Sequence, residues 1–436
     1  MKASNAMYEP IEDVERMEYY RAGGYHPVTI GDRFHDRYRV VHKLGHGTYS
    51  TIWLARDEVS NRYVAVKFCT ADSKPLENVV LSRLSQPQQS SGIDQDLIPT
   101  ISDIFSIQGP NGSHTCLVTR PARMSLSDAK NVSWISLFHL EVGRAIVAQL
   151  MIAVQYIHSQ GIVHGDLHRG NILLRLSRDF DELSTELLYE KYGEPILEPV
   201  NRLDGQEIPP EVPQHGVIPL WLGEASEDVT LPEAKVLVSD FGEAFCPSHE
   251  QKFESHTPLV VRPPEARFEP TQPLTFSSDT WTLACTMWDI MGQRTLFEGL
   301  LTNNDDMTSQ QVELLGPLPS EWLTKWTEIR DKGSKSTHQL PTNSTHSWED
   351  RFEKHMQQSR IREGMPPFEP RERDAFISML RSMLRFRPED RASAQQVLES
   401  EWMVNWALPE YEKIRNIDCE RIDGILLPNF SVVWLK

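Results

Sequence analysis

The chain has 436 residues, 39% hydrophobic and 24% charged, a composition that can bury a core and excludes wholesale disorder. Lys and Arg number 44 against 62 Asp and Glu, a formal charge of −18, which repels nucleic-acid phosphate and anionic lipid and favours basic partners by long-range steering. The five scattered cysteines (Cys69, Cys116, Cys246, Cys285, Cys419) form no Cys-x-x-Cys pair, and no run approaches eighteen consecutive apolar residues, so a thiol-ligated zinc site and a membrane span are not expected and a reduced intracellular chain is.

The first thirty residues are polar and acidic, then rich in Gly, His and Pro. From Arg37, short β-rich runs alternate with turn residues: Tyr38-Arg39-Val40-Val41, Thr51-Ile52-Trp53-Leu54-Ala55 and Tyr63-Val64-Ala65-Val66-Lys67. This is the pattern of a meander. Glu77, Val80, Leu81 and Leu84 recur at i, i+3, i+4 and i+7, which predicts one face of a helix. Cys116 to Thr119 reads as another strand. Beyond Asp128 the period turns helical. Ile146, Leu150, Val154 and Ile157 form an apolar stripe that stops near Gly161. Asp279 to Met291 is a second apolar helix, and Arg371 to Phe386 a third, with Phe376, Met379, Leu380 and Met383 on one face. A β-rich first part followed by a helix-rich second part predicts an α+β chain of two lobes. Two stretches read as insertions. Residues 175–234 are rich in Glu, Pro and Leu without sustained periodicity, and 331–347 are polar, low in complexity and read as a mobile loop.

Leu44-Gly45-His46-Gly47-Thr48-Tyr49-Ser50-Thr51-Ile52 lies between two predicted strands. Its glycines would let backbone N–H groups approach phosphate oxygens; two glycines in a plain hairpin turn explain the segment equally well. Ser50 stands where Gly-x-Gly-x-x-Gly has its third glycine, and no Gly-Lys-Ser/Thr follows. Strand alternation puts Ala65 and Lys67 on one face, a small residue and a cation suited to an adenine ring and its phosphates. Glu77 shares a helix face with Val80 and Leu81, which predicts a partner for Lys67 rather than a solvated carboxylate.

The most informative segment is Gly161-Ile162-Val163-His164-Gly165-Asp166-Leu167-His168-Arg169-Gly170-Asn171-Ile172-Leu173-Leu174. It follows an apolar helix and ends in an apolar strand. Asp166 and Asn171, five apart in a loop, suit a carboxylate that accepts a hydroxyl proton and an amide that holds Mg²⁺. A zinc-protease helix does not fit, because the residue after His164 is Gly165 and not Glu; His164 reads as a buried structural histidine. Val236-Leu237-Val238-Ser239-Asp240-Phe241-Gly242 is a strand that ends in an acid and a glycine, the second metal-holding carboxylate of such a set.

In this order, and followed by Arg262-Pro263-Pro264-Glu265, Ser278-Asp279-Thr280-Trp281-Thr282-Leu283-Ala284 and Arg387-Pro388-Glu389-Asp390-Arg391, these segments resemble the eukaryotic protein kinases over roughly residues 38–406. Within them the chain is similar to the SR-protein kinases, which phosphorylate serines of Arg-Ser-rich splicing factors. Gly23-Gly24-Tyr25-His26-Pro27-Val28-Thr29-Ile30-Gly31-Asp32-Arg33-Phe34, the segment Leu44 to Ala55 with its Ser50, and the long gap from Asn171 to Asp240 carry that likeness.

The resemblance implies a bilobal α+β fold: an extension 1–33, a β-rich N-lobe 34–121, a helical C-lobe 122–408 and a tail 409–436. It implies ATP bound by Leu44 to Ile52 (His46, Thr48, Tyr49 and Thr51 included), Ala65, Lys67, Thr119 and Ala122. Lys67, fixed by Glu77, holds the α/β-phosphates, Asp240 and Asn171 hold Mg²⁺, and Asp166 takes the proton of a serine or threonine hydroxyl. Arg391 is expected to pair with Glu265. It also implies an acidic docking groove for basic substrates at Asp306 and Glu313, a solvated helix face being the alternative. The expected setting is a cytoplasmic monomer, with the nucleus open, and no direct nucleic-acid or membrane partner. Some positions depart from the pattern. Gly165 replaces the arginine of His-Arg-Asp, His168 the lysine near the γ-phosphate, and Leu259 an arginine of the substrate loop; Thr257 lies one position further from Glu265 than usual, and Arg120-Pro121-Ala122 is an atypical hinge. A partner-binding scaffold on the same fold and a small-molecule phosphotransferase are the alternative readings.

Overall fold

The computed structural model describes residues 6–74, 76–85, 95–333 and 347–422. Of the predicted mobile loop, 334–346 lie outside the described residues, as do 423–436 of the tail. The chain divides into two compact units, one drawn from 1–129, 159–224 and 237–251, the other from 130–158, 225–236 and 252–436.

The first unit is built on an antiparallel sheet. Strand β1 (Arg33–Phe34) is followed by β2 (Tyr38–Gly47), β3 (Ser50–Asp57) and β4 (Arg62–Cys69), helix α1 (Leu76–Leu84), then β5 (Asp103–Gly109) and β6 (Gly112–Thr119). Their order is β1-β2-β3-β4-β6-β5. Alternation decides the two faces. Val40, Trp53, Val66, Phe68, Cys116 and Val118 form the core on one side. The meander read from the sequence is β2 to β4, and the helix that follows it is α1.

The chain continues through β7 (Ala122–Ser125), α2 (Leu126–Val132) and α3 (Leu140–Ser159), and returns as β8 (Ile172–Arg175). α3 is apolar and long enough to cross a bilayer, yet Ile146, Leu150, Val154 and Ile157 are all buried within the protein; it is a core helix.

The insertion has structure that its sequence did not reveal. After a short 3₁₀ turn, Ser184 caps α4 (Thr185–Tyr192), and β9 (Leu197–Pro199) pairs with β10 (His215–Val217). Phe180, Leu188, Leu220 and Leu222 close over Val41, Leu54 and Tyr63 on the sheet's other face. Buried side chains of this size contribute about 1.5–3 kcal/mol each. Asp181 Oδ1 accepts from Tyr63 N at 2.8 Å, and Leu220 N donates to Lys43 O at 2.7 Å. Val200 and Val212 bury Tyr8, Val14, Met17, Tyr20 and Tyr25 of the N-terminal extension. Extension and insertion are thus one structure with the sheet. β11 (Val236–Val238) then completes a small sheet of order β11-β8-β7.

The second unit is helical: nearly all of α3, then α5 (Glu265–Phe268), α6 (Phe276–Met291), α7 (Asn304–Leu315), α8 (Ser320–Gly333), α9 (Trp348–Phe352), α10 (Gln358–Arg362), α11 (Pro370–Met383), α12 (Ala394–Leu398) and α13 (Leu408–Ile422). α6 and α11 are the helices predicted at 279–291 and 371–386. The expected ion pair is present, with Arg391 Nη2 2.6 Å from Glu265 Oε2 and both side chains nearly sealed from solvent.

Candidate active site

The catalytic-type residues named from the sequence fall within the first unit. Cross-strand register explains part of the clustering. Gly45 stands opposite Ile52 and Ile52 opposite Lys67, while Ala65 stands opposite both Leu54 and Thr119. Directly opposed residues of antiparallel strands share a face, so Gly45, Ile52, Ala65, Lys67 and Thr119 lie on one side of the sheet. Thr51 lies on the other. It stands opposite Phe68, is fully buried, and its Oγ1 accepts from Trp53 Nε1 at 3.0 Å, so its side chain is committed to the core. Ala122 opens β7 opposite Arg175.

The hairpin between β2 and β3 turns at Thr48-Tyr49, with Gly47 opposite Ser50. The glycines are therefore not the turn residues. A Cβ built on Gly45 or Gly47 meets nothing within 4 Å, and neither has a positive φ. Neither backbone strain nor packing within the protein requires glycine there. The space beside both glycines is open, as close approach of a ligand to the backbone would need.

Lys67 Nζ is 2.5 Å from Glu77 Oε2 and 3.9 Å from Asp240 Oδ1. Burial works against the Lys67 charge, but Glu77 and then Asp240 outweigh it and hold its pKa above the ordinary lysine value. Asp240 has left-handed backbone, φ 60° and ψ 76°, and its carboxylate accepts from Gly242 N at 3.4 Å.

The loop after α3 is held at both ends. Val163 and Phe245 exchange backbone hydrogen bonds, and Ser239 N and Oγ both donate to Asn171 O. Gly165 has φ +80°, and a Cβ on it would lie 2.7 Å from Glu243 O. That close approach explains glycine where the resemblance leads one to expect arginine. His164 is buried, with Nε2 3.1 Å from Ser239 O and its ring against Phe241, the structural role read from the sequence.

Asn171 Nδ2 donates to Asp166 O at 2.9 Å and to Asp166 Oδ2 at 3.1 Å. His168 Nδ1 accepts from Gly170 N at 3.1 Å, which puts a neutral ring's proton on Nε2. That nitrogen lies 3.6 Å from Asp166 Oδ2. Burial alone would raise the Asp166 pKa, but His168, His164 and Asn171 together hold it below the usual aspartate value. Asp166 Oδ1 is buried without a hydrogen-bond partner. An ionised carboxylate with one oxygen anchored and the other unpaired can receive a hydroxyl.

Among the described residues, no three His, Cys, Asp or Glu side chains gather as a protein-only metal site. Asp240 and the Asn171 amide oxygen are hard donors that fit Mg²⁺ shared with phosphate oxygens. The groove candidates have partners of their own. Asp306 accepts from Asn303 N and caps α7, and Glu313 pairs with Arg351 at 3.4 Å. Sequence reading missed the buried pair of Glu15 and Lys43 and the contact of Tyr25 with Gly47. The Gly-Gly-Tyr-His segment was the available signal for the second; nothing local marked the first.

Residues 38–182 match the protein kinase domain family. Over 396 residues, 89% of this chain and 90% of the relative, the chain is 26% identical to a serine/threonine protein kinase of Aspergillus fumigatus. It is 27% identical over 409 residues, 90% of this chain and 91% of the relative, to the serine/threonine-protein kinase SRPK of Physarum polycephalum. The fold is similar to the crystal structure of a kinase domain, with TM-score 0.58, 19% identity, and coverage of 87% of this chain and 98% of that one. The fold is the bilobal α+β fold of the protein kinases. The chain is a protein serine/threonine kinase, with SRPK among its relatives.

Proposed function

We propose that the protein transfers the γ-phosphate of Mg·ATP to serine hydroxyls of basic, Arg-Ser-rich proteins. The observation that carries the chemistry is the Asp166 carboxylate, with Oδ2 anchored by Asn171 and Oδ1 buried and unpaired. Asp166 orients the hydroxyl and receives its proton as the new P–O bond forms. Its depressed pKa makes it an orienting acceptor more than a strong base. Lys67, held by Glu77, binds the α/β-phosphates. Asp240 and Asn171 would hold Mg²⁺, which when bound neutralises phosphate charge. The face carrying Ile52, Ala65 and Thr119, with Ala122 after it, takes the adenine. The N-lobe 34–121 and C-lobe 122–408 belong to this reading as kinase lobes; their bounds follow the resemblance and differ from those of the two compact units.

The basic substrate class draws support from the charge of −18, and the Arg-Ser preference from the likeness to SRPK. Asp306 and Glu313 belong to this reading as docking carboxylates, and the protein is placed in the cytoplasm, with the nucleus open. Phosphate transfer to an Arg-Ser repeat peptide and to a general basic protein separates the finer statement from the coarser one. Preferential labelling of the Arg-Ser peptide supports the specificity. Equal labelling, or labelling of the general protein alone, removes it and leaves the kinase.

A further inference from the structure

We propose that Tyr25 is a positioning residue for the glycine loop, a strut that sets the loop's backbone before nucleotide binds; the inference rests on the nucleotide reading above. Tyr25 Oη donates to Gly47 O at 2.6 Å and lies 3.3 Å from Thr48 O. On the β4 side, Thr70 N donates to Tyr49 O at 2.8 Å. Three consecutive carbonyls of the hairpin tip are therefore tied back to the protein. The tip itself, 46–49, is exposed, and the space beside Gly45 and Gly47 is open. A two-glycine hairpin left untied loses backbone freedom when it orders around a ligand, and that loss weakens binding. Ties made in advance remove the loss.

The strut is itself braced. Gly23 N donates to Asn111 O at 2.8 Å, and Asn111 Nδ2 donates to Tyr25 O at 2.8 Å. Asp72 N and Ala71 N donate to Gly23 O and Gly24 O. These bonds hold residues 23–25 between the β5–β6 turn and the loop after β4. Gly24 leaves no room for adjustment, since a Cβ there would lie 1.9 Å from Tyr19 O. Tyr25 as a whole is 3% exposed, and its ring has Tyr19 and Tyr20 edge-on at 6.1 and 5.5 Å. Tyr20 Oη donates to Glu15 Oε1 at 2.5 Å, and Glu15 pairs with Lys43 on β2, the strand that leads into the glycine loop. The extension thus grips the loop at its tip and at its root. The Gly-Gly-Tyr part of the N-terminal segment gains a physical role: two glycines that seat a tyrosine.

Tyr25→Phe removes the hydroxyl and keeps the ring. The full chain is measured for binding of a non-hydrolysable Mg·ATP analogue, for KM(ATP) and kcat, and for amide hydrogen exchange at residues 47–50. We expect affinity to fall and KM(ATP) to rise by roughly three- to tenfold, the factor one hydrogen bond of ordinary net strength carries. kcat should stay within about twofold, and exchange should quicken at 47–50. Gly24→Ala, which displaces the Tyr25 backbone without touching its hydroxyl, should give the same split. Unchanged loop exchange in a folded Tyr25→Phe overturns the strut, whether or not the melting temperature falls, and so does unchanged KM with unchanged analogue affinity. Failure of the unmodified protein to bind the analogue strikes the nucleotide reading instead, and loop exchange still decides for or against the strut.

Discussion

Asn171 anchors one oxygen of Asp166 and leaves the other unpaired: Nδ2 donates to Oδ2 at 3.1 Å, while Oδ1 is buried without a partner. The same amide nitrogen bonds the Asp166 carbonyl at 2.9 Å. With the nitrogen committed twice, the amide oxygen is the atom left for a cation. Asn171→Ala should therefore affect both groups. The Mg²⁺ concentration for half-maximal phosphate transfer should rise by about tenfold or more, the scale of loss when groups that hold or orient a metal are removed, and kcat should fall with it. A Mg²⁺ titration of activity in the two proteins makes the check; an unchanged midpoint contradicts the assignment of Asn171.

Lys67 is held in place by Glu77, whose Oε2 lies 2.5 Å from Nζ, and the proposed function gives it the α/β-phosphates. Lys67→Met should lower kcat by roughly 10²–10³-fold, the loss typical of removing one stabiliser of transition-state charge. Glu77→Gln keeps the cation but releases its position, so its loss should be smaller. Steady-state kinetics with circular dichroism of each variant distinguishes lost chemistry from lost fold. Full activity in Lys67→Met would remove the phosphate role.

Glu15 and Lys43 are an ion pair sealed from solvent, with side chains 3% and 0% exposed. Burial pushes the Lys43 ammonium below its ordinary pKa, and Glu15 opposes the push. Glu15→Gln leaves a buried charge uncompensated and should cost about 3–5 kcal/mol of unfolding free energy. Glu15→Gln with Lys43→Met should cost less than Glu15→Gln alone. Urea midpoints of the three proteins test this, and an additive or larger loss in the double variant contradicts it.

His26 sits between Phe34, Phe68 and His114, and burial, then the His114 charge, depress its pKa from 6.5 to about 4. The folded protein therefore resists a proton that the unfolded chain takes up. Above pH 6.5 both states are neutral and no penalty arises. As pH falls from 6.5 to about 4, the unfolded state binds more protons and stability declines. Melting temperatures over that window should fall more steeply for the unmodified protein than for His26→Phe. Equal slopes would contradict the buried-neutral histidine.

The contacts among the candidate catalytic residues were legible because their geometry is local. Asp166 and Asn171 are five positions apart in one loop, and Lys67 reaches Glu77 across a single strand-to-helix step. α3 was legible because its stripe of Ile146, Leu150, Val154 and Ile157 keeps the helical period for three turns. The insertion was not. Phe180, Leu188, Leu220 and Leu222 anchor it, spread over forty-two positions and matched to no period, so a docked segment reads as an unstructured one. The Glu15–Lys43 pair and the Tyr25–Gly47 contact span 28 and 22 positions, and no local rule pairs such residues. Thr51 shows what a motif taken as a block does not: in a strand every second side chain faces away, and register turns the Thr51 side chain from the face of Ile52 and Lys67.

The most direct test of the account is transfer of labelled γ-phosphate from Mg·ATP to a basic protein substrate, with Asp166→Ala in parallel. Serine labelling by the unmodified protein is expected, with a loss of roughly 10²-fold or more in kcat for Asp166→Ala and nucleotide binding retained. Equal labelling by the two proteins, or none by the unmodified one while Mg·ATP binds, would contradict it.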